Sequence, residues 1–95
     1  MELMTTAQGQ YIKTAQVSDV GHAAAELIVA ENSARKSIVI TNTGSKTMFI
    51  GPAAVTAATG KRLKTDESIT LDRSQAAIYG ICAGADHTTA DYIEE

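Results

Sequence analysis

The 95-residue sequence has one cysteine, one proline and no tryptophan, and each scarcity excludes a class of protein. Because Cys82 is the only cysteine, no disulfide can form within the chain, which argues against a disulfide-stapled secreted module and fits a reducing cytoplasm. One phenylalanine and three tyrosines are too few for a stacking platform for single-stranded nucleic acid. The length fits one compact domain, whose small core would gain stability from oligomerisation.

Basic charge is also scarce, since eight Lys and Arg residues stand against eleven Asp and Glu, for a net charge of −3. Without a positive patch to hold phosphates, no direct nucleic-acid partner is expected. The apolar runs are far shorter than the roughly 20 residues that span a bilayer, and MELMTTAQGQ lacks the basic and apolar regions of a signal peptide. The composition therefore predicts a soluble intracellular domain with no membrane partner.

Short β patterns dominate the sequence from Ala24 onward. SIVITN (Ser37 to Asn42) has β-branched residues in unbroken succession from Ile38 to Thr41, and ESITLD alternates, with Ile69 and Leu71 on one face. Strands separated by turn residues at intervals of about ten positions predict an all-β fold, a small antiparallel β-sandwich or barrel of about six to eight short strands. The turn residues of Asn42 to Ser45 also predict that residues 37–51 form a β-hairpin.

The first 22 residues differ from the rest, because Thr, Gln, Ala and Ser dominate and the apolar residues are isolated. We predict an extended N-terminal arm over residues 1–22 and a single β-sandwich domain over residues 23–95; a loosely attached strand and a frayed terminus are the alternatives for the arm. If the arm is separate, deleting residues 1–20 should leave the domain folded and weaken binding to a partner.

The stretch GPAAVTAATGKRL, from Gly51 to Leu63, has a sequence partly similar to that of a phosphate-binding loop. A phosphate-binding loop has four residues between its first glycine and its Gly-Lys pair, and a Ser or Thr directly after that pair. Here eight residues separate Gly51 from Gly60, Arg62 stands where the hydroxyl should be, and a strand follows instead of a helix. The stretch is better interpreted as a crossing loop between two strands, in which Thr56 and Thr59 bind local backbone and Gly60 permits the final turn.

The titratable residues do not form a recognisable catalytic or metal motif. His22 and His87 have no metal-ligand spacing, and Asp86, His87 and Asp91 are interpreted as a solvated turn rather than as ligands. Cys82 lies in an apolar strand, which predicts a buried residue with a raised pKa. The adjacent pair Asp66 and Glu67 suits a solvated loop better than acid–base work. We therefore expect no enzyme activity, no catalytic or metal residue and no cofactor.

Three stretches taken together, ARKSIVITNTGSKTMFIGP, VTAATGKRLKTDESITLD and AIYGICAG, resemble a group of small virion proteins of tailed bacteriophages. The shared layout is a strand ending in an asparagine-rich turn, a strand ending Ile-Gly, a V-T-x-x-T-G-x-x-L loop, E-S-I-T-L-D and a final A-x-Y-x-I-x-A strand. The match covers roughly half of the chain, from about Ala34 to Gly84. The tail TTADYIEE is more acidic than the alternating apolar strand that often ends such chains.

The resemblance implies a non-enzymatic structural protein located on the virion and made in the host cytoplasm. The favoured version is a capsid decoration (cement) protein that binds the outer surface of the major capsid protein lattice as a homo-oligomer, with a trimer preferred. The alternative is a tail, neck or head-fibre protein. A small partner- or carbohydrate-binding β module is a second alternative; its aromatic platform would have to come from Tyr11, Tyr79 and Tyr92.

Two groups of residues are predicted to contact a partner. Tyr11, Ile12 and Val17 are the apolar points of the arm, which would order on binding. The basic cluster of Lys61, Arg62 and Lys64 could contact an acidic surface. A structural interpretation of the basic cluster is also open, since charged residues at a sheet edge block unwanted strand pairing.

Overall fold

A computed structural model describes the backbone of residues 2–5 and 11–95, and the side chains from residue 12 onward. These residues form nine β-strands and no helix, so none of them forms a helix that could cross a membrane. The strands are β1 (Glu2–Thr5), β2 (Tyr11–Val20), β3 (Glu26–Val29), β4 (Ser37–Asn42), β5 (Met48–Gly51), β6 (Lys61–Leu63), β7 (Ser68–Asp72), β8 (Ile78–Cys82) and β9 (Thr88–Glu94). The predicted all-β fold is confirmed.

The strands form two antiparallel sheets that pack face to face. The first sheet has the order β1-β2-β9-β4-β7, and the second has the order β3-β8-β5-β6. In the first sheet β9 lies between β2 and β4, so that Glu94 is opposite both Lys13 and Ile38. The eight strands from Tyr11 onward match the predicted number, and their arrangement is that of a β-sandwich.

The core fills the space between the sheets with the inward-facing residues of both. Alternation places every second residue of β4 inside, so Ile38, Ile40 and Asn42 are buried while Val39 and Thr41 are only partly covered. The buried residues that form the core cluster are Val20, Ile28, Val29, Ile38, Ile40, Met48, Ile50, Leu63, Ile78, Cys82, Ala90 and Tyr92. As predicted, Cys82 is one of these buried residues.

The predicted hairpin over residues 37–51 is wrong. Strand β4 pairs with β7 and β9 in the first sheet, whereas β5 pairs with β6 and β8 in the second. The connection is therefore an arch that carries the chain from one sheet to the other. The physical reason is that Ile40 and Met48 both face the core, which β4 and β5 flank from opposite sides.

Asn42 holds this arch in place with four hydrogen bonds. Its Nδ2 donates to the carbonyls of Lys46 at 2.8 Å and Leu63 at 2.9 Å, while its Oδ1 accepts from the amide of Gly44 at 3.1 Å and from Thr88 Oγ1 at 2.8 Å. Because the side chain is completely buried, each of these bonds offsets the cost of removing the amide from water. The arch, β6 and β9 are thus joined through one residue.

The stretch from Gly51 to Leu63 connects two neighbouring strands instead of crossing between distant ones. β5 and β6 pair directly, with Phe49 opposite Arg62, so the predicted crossing loop is the long loop of a hairpin. Thr59 Oγ1 accepts a hydrogen bond from the Thr56 amide at 3.0 Å, as expected. Gly60, however, has no left-handed backbone; a Cβ there would lie 2.7 Å from the Phe49 Cβ, so close packing requires glycine.

The second half of the predicted arm belongs to the first sheet. Strand β2 pairs with β9 from Lys13 opposite Glu94 to Val20 opposite Thr88, with one irregularity after Val17. Val20 is completely buried in the core cluster. Burial of this residue and the long ladder to β9 make residues 11–20 part of the sandwich.

Candidate interaction surfaces

The outer face of the second sheet carries apolar side chains that the core does not use. Leu27 is opposite Tyr79 on the neighbouring strand, and Ile81 is opposite Phe49. None of the four belongs to the core cluster, and alternation directs them away from it. Leu27 is 46% exposed, one of two large apolar side chains in the described part of the chain with so much accessible surface. We call these four residues, together with Val55, the outer apolar patch.

Val55 completes the patch from the β5–β6 loop. It is only 4% exposed although it lies outside the core cluster, because the loop folds over the outer face of the sheet. Its Cγ2 lies 2.9 Å from the position that a Cβ would take at Gly51 and 2.8 Å from that at Gly60. Two glycines therefore make room for the loop to pack against the sheet. The packing of the loop and the pairing of the strands together fix the positions of the patch residues.

The predicted basic cluster borders the patch. Lys61 and Arg62 lie on β6, Lys64 follows it, and all three are exposed. With Phe49 and Glu67 they line a shallow depression of about 450 Å³. Within the described residues none of the three cations has a salt-bridge partner, since the Glu67 carboxylate instead accepts a hydrogen bond of 2.6 Å from the Lys64 amide. Basic charge is thus concentrated at one edge of an acidic chain.

The predicted arm contacts lie elsewhere. Ile12 and Val17 are half-buried in β2, and Val17 packs against the core cluster. The side chain of Tyr11 lies outside the described residues. β2 is next to β3, while β6 is the opposite edge strand of the second sheet. The structure therefore does not bring the two predicted groups into one surface, and their role in partner binding stays a prediction.

An aromatic platform built from tyrosines is not assembled in the described part of the chain. Tyr92 is 6% exposed and belongs to the core, whereas Tyr79 lies on the outer face. Burial raises the pKa of the Tyr92 phenol, with a further increase from Glu94 and an opposing effect of Arg35. Among the described aromatic side chains, only Phe49 and Tyr79 belong to the outer apolar patch.

The sequence patterns did not single out Leu27 or Phe49 as interface residues, and Tyr79 was considered only for the aromatic platform of the alternative β module. A signal for Phe49 and Tyr79 exists in MFIG and IYGIC, whose outward positions are as apolar as their inward ones. A strand with two apolar faces has a partner on both, and here the core supplies only one. The β5–β6 loop covers part of the second face through Val55, and the sequence pattern indicates a partner for the part that stays accessible.

Cys82 is held as a core residue. Its Sγ donates to the carbonyl of Val20 at 3.3 Å, and it is 2% exposed. Burial is the main cause that raises the pKa of its thiol, and the carboxylates of Asp86 and Asp19 add to the effect. A thiol kept protonated in this way is a poor nucleophile.

The histidines meet at one end of the sandwich. His87 Nδ1 lies 2.8 Å from Asp19 Oδ1, and the rings of His22 and His87 pack edge to face with centroids 5.2 Å apart. Asp91, by contrast, is opposite Gln16 and Thr41 on the outer face of the first sheet. Among the residues whose side chains are described, no group of three histidine, cysteine or carboxylate side chains is arranged to hold a metal ion.

Comparison with protein-family models, with curated protein sequences and with solved structures finds no match to this chain. The functional proposal therefore depends on the residues themselves.

Proposed function

We propose that the chain is a non-enzymatic structural protein of a tailed-bacteriophage virion, and in particular a capsid decoration protein that binds the outer surface of the capsid lattice. Two findings support this proposal: the resemblance of residues 34–84 to small virion proteins, and the outer apolar patch of the second sheet. Within the patch Leu27 is exposed and Phe49 and Tyr79 are half-buried, while Ile81 and Val55 are buried beneath them. The accessible apolar surface of Leu27, Phe49 and Tyr79 is the observation that carries the proposal, because exposed apolar surface marks sites of protein–protein contact.

The composition of the surface suits a protein partner. Leu27 and Tyr79 are adjacent on the patch, Phe49 adds a second ring, and Arg62 lies directly beside Phe49. Aromatic residues and arginine are the residue types that dominate binding energy at protein interfaces. A sheet face that presents them would bind a broad, regular surface such as a capsid lattice.

Three buried polar side chains of the domain have partners that stabilise the fold. Arg35 and Glu94 form a buried ion pair, and Asn42 is saturated with hydrogen bonds inside the sandwich. These residues stabilise the fold on which the patch is displayed. Their chemistry supports a rigid structural module, and that is the role a decoration protein needs.

Titration of purified protein onto bare, expanded capsids of the encoding phage tests the proposal. We expect saturation at a copy number on the scale of the capsid protein subunits. Replacing Leu27 by Ser should weaken binding at least roughly tenfold, since it removes an exposed anchor of the patch. Ile93→Ser is the matched control, because Ile93 is 38% exposed on the outer face of the first sheet, and this variant should bind normally.

The outcomes separate the alternatives. Binding at only a few sites per particle, such as one vertex, would replace decoration by a tail, neck or head-fibre role. No binding to any virion part, together with retention on an immobilised glycan, would favour the carbohydrate-binding module. Equal losses for Leu27→Ser and Ile93→Ser would show that the outer apolar patch is not the contact surface.

A further inference from the structure

The second sheet ends in two strands that each have an unpaired edge. β3 pairs only with β8, and β6 pairs only with β5, within the described residues. All three pairings across this four-stranded sheet are antiparallel, so β3 and β6 run in opposite directions. A second copy in the same orientation, placed beside the first, would therefore bring its β3 antiparallel to the first copy's β6. Such a contact would extend the sheet from one copy into the next.

The two edges carry opposite charge. At the β6 edge, Lys61, Arg62 and Lys64 are the exposed cations described above. At the other edge lies a groove of about 440 Å³ between β2 and β3, in which Asp19 and Glu26 are the charged residues among the described lining; Asp19 Oδ1 also lies 2.8 Å from His87 Nδ1. Both carboxylates are exposed. A basic edge and an acidic edge on opposite sides of one sheet attract each other between copies, and each repels its own kind.

The apolar surfaces behind the edges match as well. Between β6 and β7 the sandwich has a second groove, of about 410 Å³, with the half-buried Ile69 and Leu71 among its lining residues. The acidic groove on the opposite side exposes Leu27. When the β6 side of one copy meets the β3 side of the next, the two grooves face each other. The contact then buries apolar surface of both grooves that is accessible to water in a single copy.

We propose that the chain self-associates head to tail, with the basic β6 edge of one copy paired to the acidic β3 edge of the next. Such an interface uses two different surfaces of each copy, so repeated contacts close into a ring or continue as a filament. The occupant of each edge is thus a second copy of this chain. The inference goes beyond the homo-oligomer that the resemblance implies, because it names the two edges that meet. Leu27 borders the acidic groove and also belongs to the outer apolar patch, so the charge-reversed variants below keep Leu27 and test self-association separately from capsid binding.

Two charge-reversed variants test the proposal by sedimentation analysis. The first, Lys61→Glu with Arg62→Glu and Lys64→Glu, has two acidic edges; the second, Asp19→Lys with Glu26→Lys, has two basic edges. We expect the wild type to self-associate with a dependence on salt, and each variant alone to associate at least roughly tenfold more weakly. Mixing the two variants should restore association, because every contact in an alternating assembly again joins opposite charges.

The mixture also reports how the assembly closes. An alternating ring needs an even number of subunits, so a wild-type ring with an odd number, such as a trimer, would give way to an even-numbered or open assembly in the mixture. Asp91→Lys reverses a charge on the outer face of the first sheet, away from both edges, and should associate as the wild type does. Circular dichroism of each variant checks that the fold is kept.

Several results would overturn the proposal. A wild type that stays monomeric at high concentration would show that the basic residues only protect the edge from pairing. Variants that associate as strongly as the wild type, or a mixture in which association is not restored, would place the interface elsewhere. Loss of capsid binding with unchanged self-association would bear on the virion proposal alone.

Discussion

Arg35 and Glu94 form an ion pair of 2.7 Å, between Nη1 and Oε2, in which both side chains are completely buried. The guanidinium also donates to three carbonyls, those of Ser74 and Ala76 at 2.6 Å and that of Ala30 at 3.3 Å. One side chain therefore ties the β3–β4 connection, the β7–β8 connection and the end of β9 together. Arg35 thus fixes one end of the sandwich, in the same way that Asn42 fixes the arch between β4 and β5.

We predict that Glu94→Gln lowers the free energy of unfolding by about 3–5 kcal/mol, because it leaves the Arg35 charge buried without a counter-ion. Urea-induced unfolding followed by circular dichroism measures the loss. Lys13→Ala is the matched control, since Lys13 Nζ lies 3.5 Å from the other oxygen of Glu94 but is partly exposed, and its loss should cost clearly less because Arg35 still neutralises the carboxylate. Equal losses for the two variants would contradict the importance of the buried pair.

Substitution by alanine should lower stability by different amounts at Gly44 and at Gly84. At Gly44 a Cβ would meet Thr88 Oγ1 and lie 2.6 Å from the Thr89 amide nitrogen, so Gly44→Ala must displace β9 and should cost about 3 kcal/mol. At Gly84 the backbone has φ of +59° but nothing lies within 4 Å of the added Cβ, so Gly84→Ala should cost about 1–2 kcal/mol.

Asparagine separates the two causes, because it tolerates the left-handed backbone but still carries a Cβ. Gly84→Asn should recover part of the stability that Gly84→Ala loses, whereas Gly44→Asn should be at least as damaging as Gly44→Ala. Thermal unfolding of the four variants ranks them. A Gly44→Ala protein as stable as the wild type would show that the arch can move away from Thr88.

Stability should fall in alkaline solution. Burial raises the pKa of the Cys82 thiol from its ordinary value of 9.0 and that of the Tyr92 phenol from 10.0. The folded protein thus keeps protons that the unfolded chain releases, so the stabilising effect is complete below the unfolded pKa values. It is lost as the pH rises through the raised values of the folded state.

Urea unfolding at a series of pH values from 7 upward measures this dependence. The double variant Cys82→Ala with Tyr92→Phe lacks both groups and should show a shallower decline above pH 9, the ordinary thiol pKa, although it is less stable throughout. If the double variant declines as steeply as the wild type, other groups cause the alkaline sensitivity.

Truncation at the N-terminus should depend sharply on where it stops. Removing residues 1–20 deletes β2, which exposes one edge of β9 and removes the buried Val20, so we expect the cooperative unfolding transition to be lost. Removing only residues 1–10 keeps β2 and should leave that transition in place. Calorimetry of the two proteins checks this. A cooperative transition in the shorter protein would restore the interpretation of residues 1–22 as a separate arm.

Local sequence patterns predicted several of the strands. The β-branched run in SIVITN predicted β4, the alternation in ESITLD predicted β7 with Ile69 and Leu71 on one face, and the apolar surroundings of Cys82 predicted its burial. These features depend on neighbours along the chain, where a period of two is visible. The same alternation does not say which strand lies alongside, and the hairpin over residues 37–51 was wrong for that reason.

Features that join distant residues were not visible in the sequence. Arg35 stands in a polar turn and Glu94 in an acidic tail, and each alone resembles a solvated side chain. Only the fold, which brings the β3–β4 connection against the end of β9, turns them into a buried pair. The outer apolar patch is similar, since Leu27 and Tyr79 become neighbours through strand pairing across the second sheet.

The central position of β9 has a consequence for the order of folding. β2 and β4 are made early, yet neither pairs with the other; both pair with Thr88–Glu94. During synthesis the first sheet therefore has a gap at its centre until β9 has left the ribosome. Until then β2 and β4 each keep an unpaired edge. Long-range pairing of this kind slows folding and leaves the nascent chain open to chaperones and to other chains.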